Sequence, residues 1–252
     1  MTSVRTWSGP EYDRLSTPME AMGLAVLERL ELRGDENVLD AGCGSGRVTE
    51  ALVARLPRGR VIGIDASASM IAAARARLGA RADLRVADLA TLDLRGERVD
   101  AVLSTATFHW IADHAALFAA LRGALRDGGR LVAQCGGRGN IAAVHAAAEA
   151  TIADERFAAR FAGWTRPWRF AGPDESEARL RAAGFATARA WLEPWPVTPD
   201  DARAFLAEIN LGAHLQRLPE ALRDPFVDAV LHRLGGAPLT IDYVRLNLDA
   251  TA

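Results

Sequence analysis

The stretch Val38-Leu39-Asp40-Ala41-Gly42-Cys43-Gly44-Ser45-Gly46 decides the fold. It joins a short apolar segment to glycines at every second position. Glycine allows the backbone to turn sharply and lets a ligand approach the main chain, so the pattern predicts a buried strand that ends in a ligand-binding loop. The alternative is a tight strand-to-helix turn without a ligand. A dinucleotide-binding loop would have its third glycine at position 47, where this chain has Arg47, which argues against a bound dinucleotide. A P-loop is excluded because the chain has no lysine.

Strand-like and helix-like segments alternate around this loop. The predicted strands cover residues 37–40, 60–65, 84–87, 99–104 and 130–134, and the predicted helices cover 21–32, 47–56, 68–78 and 115–125. Short connections between them are typical of a parallel sheet with helices on both faces. After residue 140 the alternation stops. There the sequence predicts helices over 141–161, 175–183 and 200–234, and strands over 185–192 and 239–248.

Two acidic residues follow predicted strands. Asp65 ends the second strand, where a carboxylate can accept hydrogen bonds from both ribose hydroxyls of a nucleoside; it could equally cap the helix near Ala68. Asp88 follows the third strand, where it could accept a hydrogen bond from an adenine amino group or be an ordinary loop acid. The glycine loop and Asp65 together favour a nucleoside ligand.

Composition excludes several classes of protein. The chain has 252 residues, of which 50% are hydrophobic and 25% charged, and its formal net charge is −2. These values are typical of a globular protein and disfavour a nucleic-acid partner. We expect no membrane segment, no signal peptide and no metal, because no long apolar run is present and the only cysteines are Cys43 and Cys135. The expectation is a cytoplasmic monomer or homodimer.

Four motifs together resemble the class I S-adenosylmethionine-dependent methyltransferases. They are Asp-Ala-Gly-Cys-Gly-Ser-Gly at 40–46, Gly-Ile-Asp at 63–65, Ala-Asp-Leu at 87–89 and Leu-Arg-Asp-Gly-Gly-Arg-Leu at 125–131. The resemblance covers about residues 35–135. It implies a Rossmann-like α/β fold with a seven-stranded sheet in the order 3-2-1-4-5-7-6, helices on both faces and a helical cap over the carboxyl ends of the strands.

The resemblance also implies a binding site for S-adenosyl-L-methionine. Gly42 and Gly44 would line its methionine moiety, Asp40 would orient its amino group, and Asp65 would bind the ribose. Ala66 and Met70 would pack near the adenine, whose amino group Asp88 would contact. The full set of expected cofactor-binding residues is Asp40, Gly42, Cys43, Gly44, Asp65, Ala66, Met70, Asp88, Leu89 and Thr105.

The loop after the fourth strand is expected to face the methyl acceptor. Its His-Trp-Ile-x-Asp string, at 109–113, resembles the subgroup that contains the trans-aconitate and insect juvenile-hormone-acid methyltransferases. Tyr12 and the segment 241–246 are similar to the former. Tyr12, His109 and Trp110 are therefore the expected substrate-binding residues, although Trp110 could simply pack the loop onto the sheet. His109 is the candidate catalytic residue, since a phenol or amine acceptor benefits from a base, whereas an ionised carboxylate needs none.

These observations favour a small-molecule methyltransferase that methylates an acid. The alternatives are O- or N-methylation of a phenolic or amine metabolite with His109 as general base, and a nucleoside-binding module without catalysis. The cap also contains Arg166 and Arg169, which could bind an acidic acceptor or face solvent. The expected organisation is an N-terminal arm and lid helix (1–34), a donor-binding core (35–137), a helical cap insertion (138–172), a continuation of the core (173–197), a second cap insertion (198–236) and a final strand (237–252).

Overall fold

A computed structural model describes residues 17–252 and places seven strands in one sheet of order β3-β2-β1-β4-β5-β7-β6. The first five strands are parallel, and β7 runs antiparallel to both β5 and β6. The predicted strand order is therefore confirmed. The strands are β1 (Asn37–Ala41), β2 (Arg60–Asp65), β3 (Asp83–Val86), β4 (Val99–Thr105), β5 (Leu125–Gly136), β6 (Thr187–Pro194) and β7 (Val244–Thr251).

Helices cover both faces of this sheet, as expected for parallel strands that are apolar on both sides. The helices outside the cap are α1 (Thr17–Glu28), α2 (Arg47–Ala54), α3 (Ala68–Leu78), α4 (His114–Ala124) and α7 (Pro173–Ala182). Side chains of β5 alternate between two apolar clusters. Leu131 packs in the cluster that contains Phe118 of α4, whereas Val132 packs in the cluster that contains Leu27 of α1.

A third apolar cluster lies outside the sheet. It is built from α5 (Ala142–Ile152), α6 (Glu155–Ala158), α8 (Ala202–Phe205), α9 (Gly212–Leu215) and α10 (Glu220–Arg233). We call these helices, residues 159–172 and the short segments that join α8, α9 and α10 the cap. Tyr243, immediately before β7, belongs to this cluster and accepts a hydrogen bond from Asn210 in the cap, 2.8 Å between Nδ2 and the phenol oxygen. The start of β7 thus connects the cap to the sheet.

The structure differs from the predicted elements mainly in the second half of the chain. The helix predicted over 141–161 is two helices, because α6 starts anew after Asp154. The region 200–234 contains α8, a π-helical turn at Leu206–Asn210, α9 and α10. The last strand begins at Val244 instead of Leu239, and Ile241 forms only an isolated bridge with Val197.

Residues 17–252 lack both an apolar helix of membrane-spanning length and a cluster of metal-binding side chains. No helix in this part of the chain is long and apolar enough to cross a membrane. The same residues contain no group of three or more His, Cys, Asp and Glu side chains that could hold a metal ion.

Glu36 organises the turn that leads into β1 and hence into the glycine loop. The residue is 7% exposed, and its two carboxylate oxygens accept hydrogen bonds from the backbone N–H groups of Arg33, Gly34 and Asp35 at 2.7, 2.9 and 3.2 Å. These bonds hold the pKa of the carboxyl below its usual value although burial raises it. The turn is therefore stabilised by a carboxylate in its ionised form.

We predict that Glu36→Gln lowers the free energy of unfolding by about 1.5–3 kcal/mol at pH 7, because an amide offers one acceptor oxygen where the carboxylate offers two charged ones. Urea unfolding of both proteins measures the difference. The pKa of Glu36 is lower in the folded state than in the unfolded state. The extra stability of the wild-type protein is therefore fully present above the unfolded-state pKa, and it is lost as the pH falls through the folded-state pKa. Equal stabilities at pH 7 would contradict this role.

Candidate functional site

The carboxyl ends of the central parallel strands meet at one edge of the sheet, which is where open α/β sheets bind ligands. β1 ends at Ala41, β2 at Asp65, β4 at Thr105 and β5 at Gly136. Because β7 is antiparallel, its first residues lie at the same edge, and Arg245 pairs with Gly136. We call this edge the ligand edge.

The glycine loop follows β1 and requires glycine for two different reasons. Gly42, Gly44 and Gly46 have φ values of +88°, +55° and +85°, a region that other residues rarely adopt. A Cβ on Gly42 would lie 2.0 Å from Oγ1 of Thr107, so the loop packs tightly against the segment after β4. Among residues 17–252, a Cβ on Gly44 would meet no atom within 4 Å. The backbone at Gly44 therefore borders open space that a ligand can approach.

Asp65 connects this loop to the start of α3. One carboxylate oxygen accepts from the backbone N–H of Gly44 at 3.1 Å, and the other accepts from the N–H of Ser67 at 2.8 Å. Ser67 itself is the N-cap of α3, through a bond from Met70 N–H to its hydroxyl. Burial raises the pKa of Asp65, and the two backbone bonds oppose that shift. Ser67 is therefore the N-cap of α3, and Asp65 lies at the end of β2 with both carboxylate oxygens bonded to backbone N–H groups.

Asp40 is a buried carboxylate beneath the glycine loop, 1% exposed. Its Oδ2 accepts a hydrogen bond from the Thr49 hydroxyl at 2.7 Å, whereas no group among the described residues bonds to its Oδ1. Burial raises the pKa of Asp40 to about 7, the Thr49 hydroxyl lowers it and nearby Asp65 raises it further. A buried acceptor without a partner is costly, so Asp40 fits a ligand that brings a hydrogen-bond donor or a positive charge.

The other expected cofactor residues occupy different environments. Met70 and Leu89 are buried, Ala66 and Asp88 are exposed, and Thr105 is half-buried. The Asp88 carboxylate accepts from the N–H of Ala90 at 2.9 Å and so caps a 3₁₀ turn, Leu89–Thr91. Cys43 is buried, and burial raises the pKa of its thiol, which keeps it protonated. These surroundings give Cys43 a packing role beside the loop.

His109 lies in a 3₁₀ turn, Phe108–Trp110, directly after β4. Its imidazole is 9% exposed, and its Nδ1 accepts a hydrogen bond from the backbone N–H of Gly136 at 3.2 Å. Burial, followed by the charges of Arg245 and His114, holds the pKa of His109 well below its usual value. The ring is therefore neutral, and because Nδ1 accepts, its proton is on Nε2.

Aromatic rings extend from His109 into the cap. Trp110 lies 5.0 Å from the His109 ring and meets Trp168 edge-on at 6.2 Å, both between ring centroids. His145 of α5 stacks on Trp168 at 4.9 Å and on Phe170 at 5.4 Å. Sequence reasoning selected Trp110 but missed His145 and Phe170, for which no local signal exists. A cavity of about 310 Å³ lies beside the rings of His145 and Phe170. It is lined by Gly139, Asn140, Ala142, His145, Ala146, Glu149, Arg166 and Phe170.

The two cap arginines singled out from the sequence are engaged at the surface. Arg166 pairs with Glu149 at 2.9 Å and Arg169 with Glu175 at 2.8 Å, and all four side chains are at least partly exposed. Both charges are thus compensated by neighbours in contact with solvent. Tyr12, the remaining expected substrate residue, lies outside the described residues.

Comparisons with known proteins agree with this geometry. Residues 38–129 match the family described as "Methyltransferase domain". The chain is 31% identical over 256 residues to a trans-aconitate 2-methyltransferase of Paracidovorax citrulli, covering 95% of this chain and 94% of that protein. It is 31% identical over 185 residues to an uncharacterized methyltransferase of Schizosaccharomyces pombe, covering 71% and 70%. The YcgJ protein of Bacillus subtilis shares the fold, with a TM-score of 0.62, 16% identity and coverage of 92% and 97%.

We predict that Asp65→Asn weakens the binding of S-adenosylmethionine at least tenfold, because a charge-assisted hydrogen bond contributes about 1.5–3 kcal/mol and 1.4 kcal/mol is tenfold. Calorimetric titration measures the affinity directly. Asp93→Asn is the matched control, since Asp93 is an exposed loop acid whose carboxylate accepts a hydrogen bond from the N–H of Arg95, outside the glycine loop. Equal affinities of the wild-type protein and Asp65→Asn would remove Asp65 from the ligand site.

A second prediction concerns the ionisation of Asp40 in the ligand-free protein. Its raised pKa means that the folded state binds the proton more tightly than the unfolded state, so its contribution to stability falls as the pH rises from about 4 to about 7. Asp40→Asn keeps an acceptor for Thr49 but cannot ionise. Its stability relative to the wild-type protein should rise with pH in this range, by up to about 1.4 kcal/mol per pH unit. Thermal unfolding between pH 5 and pH 8 tests this, and a pH-independent difference contradicts it.

Proposed function

Since this chain belongs to the class I S-adenosylmethionine-dependent methyltransferases, in the subgroup that contains the trans-aconitate 2-methyltransferases, we propose that it methylates a carboxylate oxygen of a small acid. The enzyme class and the methyl donor follow from the family. The acceptor, and the residues that bind it, are the proposal.

The donor half of the proposal assigns residues around the glycine loop. Asp65 would bind the ribose hydroxyls, Gly42 and Gly44 the methionine moiety, and the unpartnered Oδ1 of Asp40 the amino group. The remaining assignments are Ala66, Met70, Asp88 and Leu89 near the adenine, Cys43 behind the loop and Thr105 at the end of β4. When bound, the donor supplies an electrophilic methyl group on a sulfonium.

The protein then has to align an acceptor with that methyl group and exclude water. A carboxylate reaches the site already ionised near neutral pH, because its usual pKa is about 4. One carboxylate oxygen forms the new bond to the methyl carbon while the carbon–sulfur bond breaks, and the electron pair stays on sulfur. No proton moves in this step. Alignment at the ligand edge is therefore the main catalytic contribution of the chain.

The observation that carries the choice of a carboxylate is the hydrogen bond from Gly136 N–H to Nδ1 of His109. A general base needs an unprotonated ring nitrogen that faces the acceptor. In neutral His109 that nitrogen is Nδ1, and the backbone of β5 occupies it, so Nε2–H is a donor. A donor suits the oxygen of a carboxylate, whereas a phenol or amine would require a group that removes a proton.

We predict that His109→Gln retains most of kcat with an acid acceptor such as trans-aconitate, because glutamine can accept from Gly136 N–H and still donate a hydrogen bond. The rate should also be independent of pH between pH 6 and pH 8, because no histidine gains or loses a proton in the step. His109→Leu is the contrasting variant. It leaves the buried Gly136 N–H unpaired, which costs about 1–3 kcal/mol of stability.

The opposite result would favour the phenol or amine alternative. If His109→Gln loses on the order of 10²–10⁴ in rate while donor affinity is intact, and the wild-type protein has an acidic limb that the variant lacks, His109 is a general base. An acceptor screen with radiolabelled donor, comparing acids with phenols and amines, decides between the two chemistries independently of any substitution.

A further inference from the structure

The cavity beside His145 and Phe170 begins where β5 ends. Two of the side chains that line it reach Gly136 from the side on which a Cβ would stand: Cε1 of Phe170 lies 2.6 Å and Nδ2 of Asn140 lies 2.9 Å from that position. The N–H of Gly136 bonds to Nδ1 of His109, and the rings of His109 and Phe170 are 5.8 Å apart between centroids. The Phe170 ring therefore borders both the cavity and His109.

Two aromatic rings and three very small residues form much of the cavity wall. The His145 and Phe170 rings are 5.4 Å apart between centroids, with 16° between their planes. Ala142 and Ala146 lie three residues before and one residue after His145, so all three are on one face of α5. Gly139 contributes no side chain. The space beside the rings is therefore open because the residues opposite them are small.

The charged groups at this cavity compensate one another. Arg166 pairs with Glu149 at 2.9 Å, and both side chains are more than half exposed. His145 is neutral, because burial and then the charge of Arg166 lower its pKa to about 4, although Asp242 opposes the shift. The Asp242 carboxylate also accepts a hydrogen bond from the N–H of Ala143, 3.1 Å away in the first turn of α5. The start of α5 therefore already has an anion beside it, and a carboxylate placed in the cavity would meet no unpaired cation among the described residues that line it.

Size and chemistry both suit an uncharged ring. A cavity of about 150 Å³ accommodates benzene, and this one measures about 310 Å³. An aromatic ring in it would bury apolar area and gain contacts with the faces or edges of His145 and Phe170. A carboxylate in the same place would lose hydration without gaining an opposite charge.

We propose that this cavity binds the end of the acceptor that is remote from the methylated carboxylate, and that this end is an uncharged aromatic ring. The inference rests on the proposed carboxylate methylation and specifies its substrate class, an aryl-substituted monocarboxylic acid. The carboxylate of such an acid lies toward Nε2–H of His109, while its ring lies against Phe170 and His145. Ala142 and Ala146 determine specificity, because their small side chains leave the space that the ring fills.

The test uses three acceptors that share a trans-2-enoate and differ only in the group at its remote carbon. That group is a phenyl ring in trans-cinnamate, a methyl group in crotonate and a second carboxylate in fumarate. The wild-type protein should have a kcat/KM for cinnamate that exceeds that for crotonate on the order of tenfold to a hundredfold, and fumarate should be no better than crotonate. With S-adenosylhomocysteine present, cinnamate should also raise the unfolding temperature more than the other two acids at equal concentration.

Ala146→Leu fills the cavity from an exposed position of α5, where leucine is a good helix former, so the fold should be retained. This variant should lower kcat/KM for cinnamate on the order of tenfold, mainly through KM, and leave kcat/KM for crotonate and the calorimetric affinity for S-adenosylmethionine unchanged. Ala150→Leu is the matched control. Ala150 is exposed one turn later on the same helix and does not line the cavity, so its substitution should change none of these quantities.

The possible results distinguish the substrate class from the reaction. If no carboxylic acid is methylated, the proposed function is wrong. If acids are methylated but cinnamate is no better than crotonate or fumarate, the ring assignment is wrong while the function stands. The same conclusion follows if Ala146→Leu leaves the preference for cinnamate unchanged, or if it lowers the rates with cinnamate and crotonate equally.

Discussion

The carboxylate of Asp65 is the contact on which the arrangement of the glycine loop depends, because it joins two segments that the sheet alone leaves separate. Its oxygens bond to the backbone of Gly44 and of Ser67, and so tie the turn after β1 to the turn after β2. The N–H groups of Gly42 and Cys43 add bonds to the carbonyl of Ile64 at 2.7 and 3.0 Å. The loop is held open by main-chain and carboxylate contacts before any ligand arrives, which reduces the ordering cost of binding.

Burial of ionisable groups is concentrated at the same edge of the sheet. Burial raises the pKa values of Asp40 and Asp65 and lowers that of His109, and Arg245 is almost fully enclosed nearby. Each of these groups costs folding free energy that a smaller or apolar side chain would not. Asp40 and Asp65 lie beside the glycine loop, whereas Arg245 lies where β5 and β7 pair.

The positions of the glycine loop and of Asp65 were predictable from sequence because their signals are local. The glycine loop lies within 38–46 and Asp65 directly ends a strand, so spacing alone predicted where the structure would bring them together. The surroundings of His109 and Arg245 depend on contacts between distant segments. Arg245 meets Gln134 across 111 positions, and His109 meets Gly136 across 27. His145 and Phe170 join Trp168 only because the cap helices fold back onto the loop after β4, and no periodicity in α5 indicates such a partner.

The tautomer of His109 shows why that difference matters for chemistry. From sequence, a histidine at the end of a central strand is equally compatible with a general base and with a positioning group. The distinction lies in which ring nitrogen carries the proton, and a backbone N–H on the neighbouring strand determines it. Gly136 also pairs with Arg245 of β7. One position on β5 therefore orients the His109 ring and lies beside the buried guanidinium of Arg245. The direction in which the His109 ring can donate is therefore set by Gly136 at the end of β5, and a substitution that moves this strand end would change the surroundings of His109 without touching the glycine loop.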